Sequence, residues 1–172
     1  MNWPDRDRLV TILAVGLVVL AIGLWALGPT GPLGGLLHPL EYETGTVTLA
    51  DENGTELATV EVRIADTERE RYVGLSETDS LQAGEGMLFD FPEESRHEFV
   101  MRDMNFPLDI VFVAPNGTIT TIHHAPTPSN AAEDDQRYPG TGQYVLEVPR
   151  GYTNATGLDV GDTVAIPSNV TS

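Results

Sequence analysis

Two Asn-Gly dipeptides constrain the fold of this chain more than any other feature. Asn53-Gly54 and Asn116-Gly117 each stand between two runs of strand-forming residues. Tight β-hairpins need positive φ in the turn, and Asn and Gly adopt it at the lowest cost. The sequence therefore predicts two β-hairpins in the body of the chain, each with a two-residue turn.

The flanking segments have the hydrophobic patterns of strands. Residues 58–64 alternate apolar and polar, as in a strand with one buried face, whereas residues 110–114 are apolar throughout and are expected to be buried on both faces. Residues 144–148 alternate again, and residues 163–166 follow a Gly161-Asp162 turn. Short strands with turn-rich connections favour an all-β fold, either a β-sandwich or a distorted barrel.

One short helix is expected between Thr67 and Leu81. Asp66 or Thr67 can act as the N-cap by accepting a hydrogen bond from the first turn, and the acidic residues that follow suit the positive end of the helix dipole. This helix is the one expected departure from a β pattern within the domain.

The N-terminal region contains an uncharged apolar segment. Residues 9–27 form a run of 19 residues without a charged side chain, and as a helix they would span about 28 Å, close to the thickness of a bilayer core. Arg6 and Arg8 precede the run and the next basic residue is Arg63, so the positive-inside rule places the N-terminus in the cytoplasm. A cleaved signal peptide is the alternative, although its apolar part is usually shorter.

These patterns divide the chain into five parts. Residues 1–8 are predicted to be cytoplasmic, 9–27 a single transmembrane helix, 28–44 a Gly- and Pro-rich linker, 45–167 an extracytoplasmic β domain, and 168–172 a tail. The expected location is therefore the cell membrane, crossed once, with the C-terminal domain outside.

The charge of the chain excludes one class of partner. All nine basic residues are Arg, whereas Asp and Glu number 26, which leaves a formal net charge of −17. Nucleic-acid binding is not expected, because the chain would repel phosphates rather than neutralise them. The absence of Lys together with this acidity favours adaptation to high salt, where carboxylates are screened from one another. The absence of Cys excludes disulfides and thiolate chemistry.

Several short motifs occur in order across residues 57–166. They are Arg-Tyr-Val-Gly-Leu at 71–75, Gly-Met-Leu-Phe at 86–89, Phe-Val-Met-Arg at 99–102, Pro-Leu-Asp at 107–109, the hairpin residues Gly117 and Ile119, and Leu-Glu at 146–147 with Gly151. Together they resemble the family catalogued as domain of unknown function 192. No chemistry is established for that family, so the resemblance implies a domain type and not an activity.

Two positions depart from the pattern of that family. Ser76 stands where the family usually has Met, and Val100 stands where it usually has Trp. If these side chains line a pocket in the family, the resemblance implies that the pocket of this chain is smaller or more polar.

Arg71, Arg102 and Asp109 are the first candidates for a ligand site. Two guanidinium groups and a carboxylate near strand ends could hold an anionic or polyhydroxylated ligand through charge-assisted hydrogen bonds. The alternative is a structural salt bridge that fixes Asp109 in its turn. The leading hypothesis is a non-catalytic binding module for a small polar or anionic ligand, tethered to the membrane and without a cofactor.

His123 and His124 support a second hypothesis, in which Asp109 and one of these His residues act in a hydrolytic enzyme. Adjacent residues on a strand point to opposite faces, so the two His are not expected to bind one metal ion. A third hypothesis is an envelope assembly or interaction protein without a small-molecule site, which an exposed apolar patch would mark.

Four Asn residues lie in Asn-x-Ser/Thr sequons, namely Asn53, Asn116, Asn154 and Asn169. Turn chemistry already accounts for the Asn-Gly-Thr sequences at 53 and 116. Asn154 and Asn169 are therefore the stronger candidates for glycosylation of an exterior domain.

Overall fold

The computed structural model describes residues 21, 22, 25, 40–130, 133, 136–167 and 170. The chain divides into two units, Met1–Glu41 and Tyr42–Ser172, and the described strands belong to the second. In chain order the elements are β1 (Glu43–Ala50), β2 (Glu56–Ala65), α1 (Glu68–Val73), β3 (Glu85–Phe99), β4 (Leu108–Val113), β5 (Ile119–Ala125), β6 (Tyr138–Pro149), α2 (Tyr152–Thr156) and β7 (Thr163–Ala165).

The described strands form one seven-stranded sheet in the order β5-β4-β6-β3-β2-β1-β7. Neighbouring strands are antiparallel except β2 and β3, which are parallel and are connected through α1. The two edges of the sheet meet at one end: the Ile119 amide donates to the Asp162 carbonyl and the Val164 amide donates to the Gly117 carbonyl, both at 2.8 Å. The sheet is therefore a half-barrel.

The all-β expectation is confirmed, and the single curved sheet corresponds to the distorted barrel rather than to a sandwich. The expected helix is α1. Its N-cap is Thr67, whose side chain accepts a hydrogen bond from the Glu70 amide at 3.2 Å, while the Glu70 carboxylate accepts one from the Thr67 amide at 3.0 Å. A second short helix, α2, was not predicted; Gly151 and Gly157, both with positive φ, bound it.

Both Asn-Gly dipeptides lie in hairpin turns, as predicted, but the turns are longer than two residues. Residues 51–55 separate β1 from β2, and residues 114–118 separate β4 from β5. In each turn the Gly amide donates to the carbonyl three residues earlier at 2.9 Å, and Gly alone has positive φ, 81° at Gly54 and 86° at Gly117. The left-handed conformation is therefore confined to Gly, whereas a two-residue type I′ turn would need it at Asn as well.

Each face of the sheet carries a hydrophobic cluster. On one face Val111 and Val113 of β4 pack with residues of β1, β2 and β7. On the other face Leu108, Ile110 and Phe112 pack with residues of β3 and of the segment after α1. All residues of β4 are buried, which confirms the expectation of burial on both faces; each apolar side chain among them contributes about 1.5–3 kcal/mol.

The predicted membrane anchor falls mainly outside the described residues. Of residues 9–27, only Ala21, Ile22 and Trp25 are described, and they are helical. Within the part of the chain that the structure describes, no helix has the length and apolar character needed to cross a bilayer. The anchor, most of the linker and the topology remain predictions from the sequence.

Candidate functional site

A cavity of about 390 Å³ lies beside α1 and β3. Its walls come from α1 and the segment after it to Ser76, from β3 and the loop that follows it, and from Leu108 of β4 and Glu147 of β6. We call it the aromatic cavity, because Phe89, Phe91 and Phe99 line it. The Phe99 ring lies edge-on to the other two, with centroid distances of 4.9 Å to Phe89 and 6.4 Å to Phe91. Edge-to-face packing is favourable for aromatic rings and fixes their positions.

His97 extends the aromatic wall. Its ring stacks on Phe91 with centroids 3.7 Å apart, and its Nε2 lies 3.1 Å from the Gly142 carbonyl oxygen. Because a carbonyl only accepts, Nε2 carries the proton and donates. The pKa of His97 is lowered, chiefly because the ring is buried. The hydrogen bond to Gly142 raises the pKa and the nearby Arg71 guanidinium lowers it, both by less than burial does. The ring is therefore uncharged at neutral pH.

Glu147 is the most deeply buried ionisable side chain that lines the cavity. It lies on β6, opposite Met87 of β3 and Ile110 of β4, and only 5% of the residue is exposed. Its carboxyl group makes no hydrogen bond to any residue that the structure describes. Burial raises the pKa of Glu147 to about 8, so the carboxyl group is protonated at neutral pH.

The sequence of β6 by itself does not reveal the buried environment of Glu147. Alternation along residues 144–148 separates Tyr144, Leu146 and Val148 from Val145 and Glu147, and a charged residue usually marks the solvent face. In the structure both faces of this part of β6 are covered, because β3 and β4 flank it and both clusters pack against it. The sequence signal at Glu147 is an acidic residue within the otherwise apolar residues 144–148, which marks the position as unusual but does not show that its face is covered.

Arg71 lies in the last turn of α1 and lines the cavity. One of its nitrogens, Nη1, donates to the carbonyl oxygens of Asp66 and, at 2.6 Å, of Asp90. Its guanidinium carbon lies 5.2 Å from the centroid of the Phe91 ring. Arg71 therefore ties α1 to β3 and also presents a positive charge to the aromatic wall.

Arg102 stands at the rim of the same cavity. Its Nη2 donates to the Tyr72 carbonyl at 2.8 Å, and its guanidinium carbon lies 4.3 Å from the centroid of the Tyr72 ring. The Arg102 side chain is 41% exposed and Nε lies 3.8 Å from the Asp103 carboxylate, a weak surface contact. Arg102 therefore remains accessible to a ligand from solvent.

Ser76 and Val100, the two departures from the family pattern, both line the aromatic cavity. The expectation of a smaller pocket does not follow, since Ser and Val are smaller than the Met and Trp they replace. Shorter side chains leave more free space in the wall. The Ser76 hydroxyl donates to the Val73 carbonyl at 2.7 Å, so its polarity is partly satisfied within the chain.

Asp109 does not line the cavity, although its neighbour Leu108 does. Alternation along β4 places Asp109 on the opposite face of the sheet. It is fully buried, and Oδ2 accepts hydrogen bonds from the Gly151 amide at 2.9 Å, the Thr153 amide at 3.1 Å and the Thr153 hydroxyl at 2.8 Å. Asp109 thus holds the start of α2 on β4, and the expected grouping of Arg71, Arg102 and Asp109 does not occur.

The two adjacent His residues point to opposite faces of β5. His124 Nδ1 lies 2.6 Å from Asp109 Oδ1, whereas His123 Nε2 lies 2.8 Å from the Pro139 carbonyl oxygen, and its ring packs edge-on against Phe112. Among the described residues, no three His, Asp or Glu side chains are grouped as metal ligands. The pair is therefore divided between Asp109 on one face and the cluster around Phe112 on the other.

Three of the four sequon residues are described, and all three are exposed: Asn53, Asn116 and Asn154. Asn53 and Asn116 lie in hairpin turns, and Asn154 lies in α2. Asn169 falls outside the described residues. The exposure of these side chains is compatible with glycosylation, which remains a prediction.

Two solved structures are similar to this chain. The first, from Sinorhizobium meliloti 1021, is described as a "putative transcription regulator"; it is 28% identical with a TM-score of 0.67, and the match covers 74% of this chain and 97% of that one. The second, a protein of unknown function from Novosphingobium aromaticivorans DSM 12444, is 28% identical with a TM-score of 0.65, and the match covers 75% of this chain and 90% of that one. No functionally curated protein matches the chain.

A family pattern covers most of the folded unit. The pattern of DUF192, described as Uncharacterized ACR, matches residues 48–166, which begin within β1 and end just after β7. This span contains every residue of the aromatic cavity. The chain belongs to the DUF192 family.

Proposed function

We propose that this protein is a non-catalytic binding module whose aromatic cavity takes up a small anionic organic molecule. The observation that carries the proposal is the pairing of aromatic walls with two guanidinium groups, those of Arg71 and Arg102, around one cavity. Aromatic walls favour the body of an organic molecule, and guanidinium groups favour a carboxylate or phosphate through charge-assisted hydrogen bonds.

The size of the aromatic cavity supports this assignment. Small-molecule sites usually occupy about 300–1,000 Å³ and are mostly apolar with a few placed polar groups. The cavity measures about 390 Å³, at the lower end of that range, and combines Phe side chains with a small number of charged ones. A molecule of one or two rings fits this description better than a peptide or a polymer.

The charges around the cavity favour an anion in spite of the acidic chain. Glu68 and Glu98 also line it, but Glu98 lies 3.0 Å from Arg137 and 3.6 Å from Arg96. Glu147 is uncharged at neutral pH because burial raises its pKa to about 8. Arg71 and Arg102 are therefore the cationic groups of the cavity wall that an anionic ligand could contact.

The hydrolytic alternative has one supporting observation, the 2.6 Å contact between His124 Nδ1 and Asp109 Oδ1. Such a pair orients a general base in many hydrolases. Here, however, the other oxygen of Asp109 binds Gly151 and Thr153, and the pair lies on the face of β4 opposite the cavity. These hydrogen bonds support a structural role for Asp109 rather than a catalytic one. We therefore favour the binding function over the hydrolytic one.

We propose further that residues 9–27 anchor the domain to the outer face of the membrane. The uncharged run and the flanking Arg6 and Arg8 support this topology. The chain has no Cys, so a single Val160→Cys substitution at a 60% exposed site provides a unique label. Reaction of intact cells with a membrane-impermeant maleimide is the expected result, and labelling only after lysis would contradict the topology.

The binding function is tested by two separate changes, one that fills the cavity without altering its charge and one that removes a positive charge from its rim. The full-length protein in mild detergent is screened by thermal shift against a panel of aromatic carboxylates and aryl phosphates at fixed ionic strength. Binding should be lost in Val100→Trp, which fills the wall, and weakened about tenfold or more in Arg102→Gln. It should persist in Val160→Trp, where the new ring is exposed. Equal binding in all three variants, or no binding by any compound, would reject the proposal.

A further inference from the structure

We infer that Glu147 is the inner recognition group of the aromatic cavity and donates a hydrogen bond to an uncharged oxygen of the ligand. The ligand class is then an amphipathic anion with its carboxylate or phosphate near Arg102 and a carbonyl or ether oxygen at the opposite end. This inference rests on the proposed binding function and specifies what that site selects.

The position of Glu147 in the cavity wall indicates that it contacts a ligand. Glu147 lines the cavity, yet only 5% of the residue is exposed to solvent. Among the described residues, no fully enclosed side-chain oxygen or nitrogen lacks a hydrogen-bond partner. Because the Glu147 carboxyl makes no hydrogen bond within that part of the chain, its oxygens must reach the cavity surface rather than the closed core.

An unpartnered buried carboxyl group is costly and needs an explanation. Leaving a buried polar group without a hydrogen bond costs about 1–3 kcal/mol, and native proteins contain few such groups. The side chains beside Glu147 in the sheet are Met87, Val145 and Ile110, and none of them offers a hydrogen bond to satisfy it. Its hydrogen-bond partner must therefore enter through the cavity that Glu147 lines.

The protonation state decides which partner Glu147 selects. With a pKa raised to about 8 by burial, the carboxyl group is mainly neutral at pH 7 and presents one O–H donor. A cationic ligand group would require loss of that proton and would enter a cavity already lined by Arg71 and Arg102. An oxygen acceptor without charge meets neither obstacle.

Other ionisable groups around the cavity do not change this assignment. Besides Glu147, those that line it are Glu68, Arg71 and Tyr72 of α1, His97 and Glu98 of β3, and Arg102 of the following loop. The pKa of His97 is lowered chiefly by burial, so the ring contributes no charge at neutral pH. Glu147 is therefore the one buried proton donor of carboxyl type in this wall, and its titration should control ligand affinity near pH 8.

A pair of matched probes isolates the proposed hydrogen bond. Both 4-acetylbenzoate and 4-isopropylbenzoate carry the same ring and carboxylate, but the acetyl group has an oxygen where the isopropyl group has a methyl. Affinities are measured by isothermal titration calorimetry on the full-length protein at pH 6.5. We expect 4-acetylbenzoate to bind at least about tenfold more tightly, because the analogue leaves the buried donor unpaired.

Two substitutions at Glu147 then distinguish the effect of its hydrogen-bond donor from the effect of its side-chain shape. Glu147→Gln keeps a donor of similar size and should keep the preference for 4-acetylbenzoate. The wild type is expected to lose that preference above pH 8, whereas this variant should not. Glu147→Met removes the donor, so the two probes should bind with nearly equal affinity. Melting curves of both variants confirm that they remain folded.

The outcomes distinguish this inference from the function on which it rests. If both probes bind equally to the wild type, or if the preference survives in Glu147→Met, the hydrogen bond is rejected while the binding module stands. If neither probe binds and the wider panel also fails, both the inference and the proposed function are overturned.

Discussion

Asp109 of β4 accepts two hydrogen bonds from Thr153 of α2 through the same oxygen, one from the amide at 3.1 Å and one from the hydroxyl at 2.8 Å. The same carboxylate contacts His124 at 2.6 Å and the Gly151 amide at 2.9 Å. One side chain thus joins β4, β5 and the start of α2. The Asp of the Pro-Leu-Asp motif has an architectural role in this domain.

Asp109→Ala is expected to lower the free energy of unfolding by about 3–5 kcal/mol, because it leaves several donors without their buried partner. His124→Ala should cost only about 1 kcal/mol, since that side chain is 43% exposed. Thr153→Ser is a matched control that keeps the hydroxyl. Urea denaturation at constant salt measures all three, and a loss below about 1 kcal/mol for Asp109→Ala would contradict this role.

Glu147→Gln is expected to raise the free energy of unfolding above that of the wild type, and this difference should increase as the pH rises. The folded-state pKa of about 8 lies above the ordinary value of 4.5, so between these pH values the folded chain holds a proton that the unfolded chain releases. Stability of the wild type therefore falls with rising pH across this window, by about 1.4 kcal/mol per unit from this group. Gln does not titrate, so the variant should gain roughly 3 kcal/mol at pH 7 and nothing near pH 4.5.

The comparison of Glu147→Gln with the wild type is made by urea denaturation at several pH values. All other carboxyl groups are common to both proteins, so their titration cancels in the difference. A difference that does not change between pH 4.5 and pH 8 would show that Glu147 has an ordinary pKa in the folded chain.

Arg71 and Arg102 should differ in their effect on stability. Arg71→Ala removes two hydrogen bonds, one to the Asp66 carbonyl just before α1 and one to the Asp90 carbonyl of β3, and should cost about 2 kcal/mol. Arg102→Ala removes one bond and an exposed ion pair and should cost less than about 1 kcal/mol. Thermal melts of the two variants check this order. Equal losses would mean that Arg102 also supports the fold, and ligand studies should then avoid both substitutions.

High salt should stabilise the folded domain. With a net charge of −17, repulsion between carboxylates opposes folding in dilute buffer, whereas at 1 M salt the screening length falls to about 3 Å. We expect the melting temperature to rise by about 5 °C or more between 0.05 and 2 M NaCl. Replacing the exposed Glu93 and Glu94 with Gln should reduce this rise, and a melting temperature independent of salt would exclude the adaptation.

Local patterns were enough to predict much of the fold. The hairpins at Asn53 and Asn116, the buried β4 and the Thr67-capped helix all depend on residues close in the sequence. The parallel pairing of β2 with β3 was not predicted, because it joins segments on either side of α1 and no local pattern marks a neighbour in a sheet. α2 was missed because five residues between Gly151 and Gly157 are too few to show a helical period.

The site was only partly predictable for a related reason. Arg71 and Arg102 were identified and do share the cavity, but the third candidate, Asp109, lies on the other face of the sheet. One position along β4 separates Leu108, which lines the cavity, from Asp109, which does not. Whether a strand face is buried depends on elements that are distant in the sequence. The sequence of β6 alone therefore could not show that Glu147 is buried.

Tyr42 is the first residue of the folded unit, and its hydroxyl donates to the Gly74 carbonyl at 3.2 Å. Gly74 lines the aromatic cavity, and the next residue after Tyr42, Glu43, already pairs with Ile64 in the sheet. If residues 9–27 anchor the domain as proposed, tension on the preceding chain would act first on Tyr42, through its hydrogen bond to Gly74, worth about 1 kcal/mol, and through the contact of its ring with Arg63. Pulling on the chain would then loosen the wall of the cavity before it loads the ladder of β1 and β2.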